Sequence, residues 1–318
     1  MRRLLPVLVC LLSLATILPA QSPQQVKVGM HLMNLYDLNM DEHSFYADFY
    51  LWFKWTGEID PTEIEFVNAI EKWSITSVVS GDGSDSLLRD GTNYRVFRVE
   101  GRFFHSFSLG DFPLDRHALD IQIENPEHDA EALVYVADNE GASIRKTLQL
   151  VGWNMDGCNV ESTRHDYGTD FGNPDENARA YSNLSFSVLL ARPINYFLLK
   201  MLLPILIVML VSIGSMLLHP SHIDTRSSLP IGGLLTAVFL QQSYSNALPD
   251  TGYMVLMDKI YLLAYLLISL VLLQVIRSGN WLMREHRQPE AWLIRMERLL
   301  AGIYLVVFIL AVVVMSVW

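Results

Sequence analysis

Cysteine is nearly absent from this chain. Its 318 residues hold two, Cys10 and Cys158, so no disulfide framework stabilises the fold. Basic residues are scarce as well: 23 Lys and Arg stand against 34 Asp and Glu, for a net charge of −11. Phosphate binding needs a basic face, so this balance excludes a nucleic-acid partner. There is no glycine-rich phosphate loop and no nucleophile elbow. His165-Asp166 has no second histidine at a metal-ligand spacing. Asp82 and Asp85 lack the EF-hand pattern and read as a hairpin turn. No enzyme, metal or cofactor is expected.

What is present is apolar and unevenly placed. Hydrophobic residues make up 51% and charged ones 18%, a mixture that fits neither a disordered chain nor an ordinary soluble enzyme. Between residues 21 and 192, 28 acids face 13 bases; the rest has 6 acids, 10 bases and the long apolar runs. At ~150 residues per domain the length allows about two. Met1-Arg2-Arg3, the apolar run Leu4 to Leu18 and the end Pro19-Ala20 describe a signal peptide over 1–20, since the run is short of the ~20 residues a span needs. Cleavage leaves Cys158 as a lone, buried, apolar thiol.

Four later segments read as membrane spans: Ile194 to Leu218 with Pro204 inside it, Thr225 to Ala247, Tyr253 to Ile276, and Trp292 to Trp318. Each is long enough for a ~30 Å hydrocarbon core at ~1.5 Å per residue. Arg226 lies between the first two spans, and Arg277, Arg284, Arg287, Arg295 and Arg298 cluster between the last two. Positive charge marks the inner side, which puts residues 21–192 outside, in agreement with the signal peptide.

The exported half, 21–192, reads as strands. Leu119, Ile121 and Ile123 alternate with Asp120, Gln122 and Glu124, and Leu184, Phe186 and Val188 with Ser185 and Ser187, the period of a half-buried strand. Phe45 to Trp55 is dense in aromatics, and turn clusters stand at Gly81–Asp85, Asp138–Gly141 and Gly172–Asp175. Many short strands so punctuated imply a β-sandwich. The expected architecture is an all-β sandwich followed by a four-helix transmembrane domain, 193–318.

The second span carries the mechanistic signal. Asp224, Ser228, Gly232, Leu235, Phe239, Gln242 and Asn246 follow one another at steps of three or four, so they share one helical stripe. Polar side chains in a span face a protein interior or a water path. One helix cannot enclose water, so a pore needs copies from several subunits. In symmetric copies Asp224 becomes a carboxylate ring that favours cations, and Leu235 and Phe239 become apolar rings that close by dewetting. The competing reading is a bundle helix whose polar face bonds internally. Arg226 lies two positions from Asp224, roughly 200° around the helix, and so points away, toward an acid or the headgroups. Pro230 marks a kink near the helix start.

At this point the chain resembles a pentameric ligand-gated ion channel of the Cys-loop receptor superfamily, in its bacterial form. Phe112-Pro113-Leu114-Asp115 stands where the family has its Phe-Pro-x-Asp loop, with His105 and Leu119 at the two positions that are cysteines in animal receptors. Trp55 closes a strand like the family's second; Glu65-Phe66-Val67-Asn68 resembles the first ligand loop and Gly152-Trp153 the turn entering the ninth strand. Arg192 precedes the first span and Leu248-Pro249 follows the second, as in the family.

The resemblance implies a homopentamer around a central pore, in a bacterial inner membrane with the β domain in the periplasm. It implies agonist binding between subunits. Glu65 and Glu124 match acids that receive an amine, Tyr167 and Tyr181 match the capping loop, and Tyr50 or Trp52 comes from the neighbouring face; carboxylates with π faces suit a cation. Coupling falls to Phe112, Pro113, Asp115, Arg192 and Pro249, with Asp115 and Arg192 as a charged strut and Asp41 and Glu42 nearby. His105, His117, His128 and His165 keep protons open as a second stimulus. The expected function is a ligand- or proton-gated, cation-selective channel; the alternative is a membrane-anchored sensor or binding protein that does not conduct.

Overall fold

The computed structural model describes residues 22–70, 76–79, 86–169, 171–172, 179–246, 248–285 and 291–317. The expected signal peptide, the Asp82/Asp85 turn and Asn173 to Asp175 of the later turn lie outside the described residues. Among the described residues ten strands come first: β1 Gln24–Asn39, β2 Ser44–Trp55, β3 Glu65–Phe66, β4 Thr76–Val79, β5 Ser86–Leu87, β6 Asn93–Phe104, β7 Arg116–Glu124, β8 Leu133–Ile144, β9 Asn154–Asp166 and β10 Ala180–Ala191. One sheet runs β4-β6-β2-β1-β8 with β5 also paired to β6; the other runs β3-β7-β10-β9.

Period-two patterning makes the two sheets face each other. On β2, Phe45, Ala47, Phe49, Leu51, Phe53 and Trp55 are buried, while Tyr46, Tyr50, Trp52 and Lys54 lie on the opposite, partly open face. Leu119, Ile121 and Ile123 of β7 and Leu184, Phe186 and Val188 of β10 complete the same core from the second sheet. Side chains at i, i+2 and i+4 share one face of a strand, so each sheet contributes one apolar side to a layer between them.

The Asp138–Gly141 turn is not a turn. It lies inside β8, whose parallel register with β1 jumps from Val28↔Ala137 to Met30↔Ala142. Gly141 has φ +51°, a left-handed conformation that glycine adopts without steric cost. The same Asn and Gly residues that would favour a turn here form a bulge, because pairing to β1 continues on both sides.

Helices follow β10. α1 is one span, Tyr196–Leu217, made of a π-helical turn Tyr196–Leu202, an α-helix Leu203–Gly214 with Pro204 in its first turn, and a 3₁₀ turn Ser215–Leu217. α2 is Ile223–Ser245, α3 Leu256–Glu285 and α4 Ala291–Val317. Pro230 sits inside α2, which runs unbroken past it. Among the described residues three helices, α1, α3 and α4, are long and apolar enough to cross a membrane. The expectation of four such spans is corrected to three, because α2 carries Asp224, Arg226, Gln241, Gln242 and several Ser, Thr and Gly residues. Its 23 residues suffice in length; its composition does not match lipid all round.

Candidate functional site

α2 has two faces. Arg226, Pro230, Gly233, Ala237 and Tyr244 are buried, against α1 and α3. Asp224, Ser228, Gly232, Leu235, Phe239, Gln242 and Asn246 are all exposed on the protomer, so the stripe read from the sequence is the face that the other helices leave uncovered. Leu235 is 58% and Phe239 66% exposed. Large apolar groups on an open face mark contact with lipid, another copy or a ligand, and the polar residues that bracket these favour a face turned away from lipid.

Close approaches seat the helix. A Cβ on Gly233 would lie 2.2 Å from Ser212 Oγ, and one on Gly279 1.9 Å from Ile223 Cδ1. These two glycines let α2 settle against α1 and α3. Arg226 does point away from the stripe, and it meets an acid: its Nη2 donates to Glu297 Oε1 at 2.8 Å.

In the β domain a cavity of about 500 Å³ is lined by Glu65, Val67, Glu124, Pro126, Tyr167, Phe171 and Tyr181. Glu65 and Glu124 are cross-strand partners of β3 and β7. Glu124 is buried. Its carboxylate lies 2.6 Å from His165 Nδ1 and accepts from Tyr167 Oη at 2.8 Å and Asn183 Nδ2 at 2.8 Å. Tyr167 stands edge-on to Tyr181 at 6.0 Å and to Phe171 at 5.3 Å. Burial first, then the bond to Glu124, raises the Tyr167 hydroxyl above the ordinary phenol value, so it remains a donor to the carboxylate. Two acids among aromatic faces form a cavity suited to a small cation.

Tyr50 and Trp52 are not part of this cavity in one chain. They lie on the open face of β2 in the other sheet, where Arg98 covers the Tyr50 ring at 5.8 Å. Trp52 Nε1 donates to Asp138 Oδ2 at 2.9 Å, and Lys54 Nζ reaches the same oxygen at 2.6 Å. Gly29 is the cross-strand partner of Trp52. A Cβ there would meet the indole at 2.2 Å, so the ring lies flat over the glycine.

The lower loops of the sandwich meet the helices. The Phe112-Pro113 peptide is cis, and Phe112 stacks on Tyr244 of α2 with centroids 6.5 Å apart. Asp115 accepts from Arg192 Nε at 2.7 Å and lies 2.9 Å from His117 Nε2. The Arg192 guanidinium covers Trp153 at 4.2 Å and Phe112 at 4.9 Å. Leu256 N donates to Gly110 O at 2.9 Å, and Leu109 N to Tyr253 Oη at 3.0 Å. Met40, Asp41, Leu109, Pro249, Asp250 and Thr251 share a further cavity at this junction. His105 lies against Phe107 and His117; burial first, then His117, lowers its pKa to about 4. Cys158 is half-buried, with burial raising its thiol above the usual value.

Sequence reasoning missed three of these partners. In sequence His165 reads as an unsupported metal ligand and as one of four proton-responsive histidines, not as a partner of Glu124, and Asn183 and Tyr244 carry no signal of their own. The i, i+2 phase of β10 gives the face on which Asn183 lies, but only strand pairing brings it to Glu124.

No protein-family model matches the chain. It is 23% identical over 189 residues to the pH-sensitive chloride channel 2 of Drosophila melanogaster, covering 59% of this chain and 36% of that protein. It is 20% identical over 276 residues to the Proton-gated ion channel of Gloeobacter violaceus, covering 80% and 73%. The chain thus spans about a third of the fly channel's length. A β-sandwich joined to three strongly apolar helices defines a membrane protein with a folded domain outside the bilayer. Within that class its relatives are gated ion channels, which upholds the resemblance to the pentameric ligand-gated superfamily.

Proposed function

We propose that this protein is a gated, cation-selective ion channel: five copies surround a pore lined by α2, and a ligand or protons acting on the β domain open it. The observation that carries the reading is the α2 stripe, open on the protomer from Asp224 to Asn246. A ring of Asp224 carboxylates at the inner mouth favours cations, and rings of Leu235 and Phe239 form the gate. One relative is named a chloride channel. The case for cations here is that Asp224 is exposed while Arg226, the nearest base, is buried and paired.

The cavity at Glu65, Glu124, Tyr167 and Tyr181 supports a small amine as agonist, with Tyr50 and Trp52 supplied by the adjoining subunit. His165, 2.6 Å from Glu124, supports protons as the second stimulus at the same place. Motion there reaches the pore through Phe112, Pro113, Asp115, Arg192 and Pro249, since these residues lie between the sandwich and the outer end of α2. The domain division is 21–192 and 193–318 after loss of a signal peptide over 1–20, with the β domain in the periplasm of a bacterial inner membrane.

Voltage clamp under a salt gradient tests this, with bath pH stepped and primary amines applied. A current reversing near the cation potential and shifted by Asp224→Asn is expected. Reversal near the anion potential refutes the assignment of Asp224. Amine binding without current, with the chain at the surface, leaves a sensor that does not conduct.

A further inference from the structure

Arg226 is the largest fully buried side chain among the described residues, with 0% of its surface exposed. This burial is complete within one protomer and owes nothing to neighbouring copies. Three segments meet around the guanidinium that α2 carries. Nε donates to Ser215 O at the end of α1, Nη1 lies 3.4 Å from Ser278 Oγ of α3, and Nη2 bonds Glu297 Oε1 of α4. The Glu297 side chain is 1% exposed. α4 packs on α1 and α3 and shows lipid-type side chains along most of its length, yet it places a carboxylate at the base of α2.

A guanidinium cannot shed its proton to escape an apolar site, as a lysine or histidine can. Its only alternatives to a buried partner are movement to water or loss of the fold. Thr225, the residue before it on α2, is exposed, and so is Asp224, ~3 Å along the axis at ~1.5 Å per residue and roughly 200° around it. The long stem of an arginine lets its head reach water while its methylenes stay in apolar surroundings. An unpaired Arg226 therefore turns toward the mouth that Asp224 lines, and its positive charge opposes the carboxylate there.

We propose that Glu297 is a selectivity-determining residue that never touches the ion: it keeps Arg226 inside the bundle, so the inner mouth carries the charge of Asp224 alone. The proposal rests on the reading of α2 as pore-lining. It assigns a role in ion choice to α4, through a carboxylate 71 residues from its partner in sequence.

The test compares reversal potentials under a salt gradient, together with surface amount, for the full chain carrying Asp224→Asn, Glu297→Gln, or Arg226→Gln with Glu297→Gln. Glu297→Gln is expected to move reversal toward the anion potential, with a several-fold fall in cation-to-anion permeability. The double variant is expected to return to the wild-type value, because no stray cation remains. Glu297→Gln at the surface with wild-type reversal overturns the proposal. So does a double variant that keeps the shift. If Glu297→Gln fails to reach the surface, a double variant that does reach it with wild-type reversal supports a self-neutralising pair, and one that also fails overturns it. Asp224→Asn separates the two levels. If it leaves reversal unchanged, the pore reading falls; if it shifts reversal and Glu297→Gln does not, only the role of Glu297 falls.

Discussion

Replacing Asp115 by asparagine keeps the shape of the side chain and removes one negative charge. That carboxylate is 1% exposed and holds Arg192, itself 13% exposed, at 2.7 Å. It also faces His117 Nε2 at 2.9 Å. Breaking a buried pair by removing one partner costs about 3–5 kcal/mol. Two features pull the value below that range. Arg192 retains the faces of Trp153 and Phe112, each worth about 0.5–2 kcal/mol to a cation, and the new amide oxygen still accepts a hydrogen bond. A loss of about 2–3 kcal/mol results. At about 2–4 °C per kcal/mol for a domain of this size, melting falls by roughly 5–10 °C. Tryptophan fluorescence of the purified chain reads this, since Trp153 packs on the guanidinium. The cycle of Asp115→Asn, Arg192→Met and the double variant should show a coupling above about 1 kcal/mol, whereas independent sites add within ~0.5 kcal/mol. Additivity would refute the strut. The same substitutions should raise the stimulus needed for half-maximal opening.

Three further outcomes follow from the geometry. Glu124→Gln removes the charge on which His165, Tyr167 and Asn183 converge; at about 1.5–3 kcal/mol for a charged hydrogen bond, half-maximal amine concentration should rise roughly 10- to 100-fold. An unchanged dose–response curve removes the amine from this cavity. His105, lowered to about 4 from its ordinary 6.5 by burial and then His117, stays neutral in the fold while the unfolded chain takes up a proton. Its contribution is thus present above pH 6.5 and lost as pH falls toward 4; His105→Phe should lessen the drop in melting temperature between pH 7 and pH 5. Gly29→Ala puts a methyl group 2.2 Å from the Trp52 ring, which must swing off Asp138 at a cost of about 1–3 kcal/mol. A wild-type melting curve and wild-type fluorescence for that variant would show that the ring has room.

The sequence by itself determined whatever depends on local geometry. Strand period placed Leu119, Ile121 and Ile123 inward, and helix period put Asp224 to Asn246 on one face of α2 and sent Arg226 off it. Both follow from fixed backbone repeats and need no partner. The same logic found the apolar runs, though α3 continues past the expected Ile276 to Glu285, and the pairing of Asp115 with Arg192 was implied by the family resemblance. Where a residue's meaning depends on what packs against it, local reasoning stopped. Asp138 to Gly141 read as a turn because those residue types favour one, and pairing with β1 turned them into a bulge. α2 read as a fourth span with a polar stripe; its composition falls short of a lipid-crossing helix, and only packing showed that the stripe is a face no other helix of the protomer covers. His165 and Asn183 gained their place beside Glu124 only when β7, β9 and β10 paired. Above all, only tertiary structure decided which acid holds Arg226. Its partner lies two helices further along the chain, and a buried charge is satisfied by whichever side chain packing brings within hydrogen-bond reach.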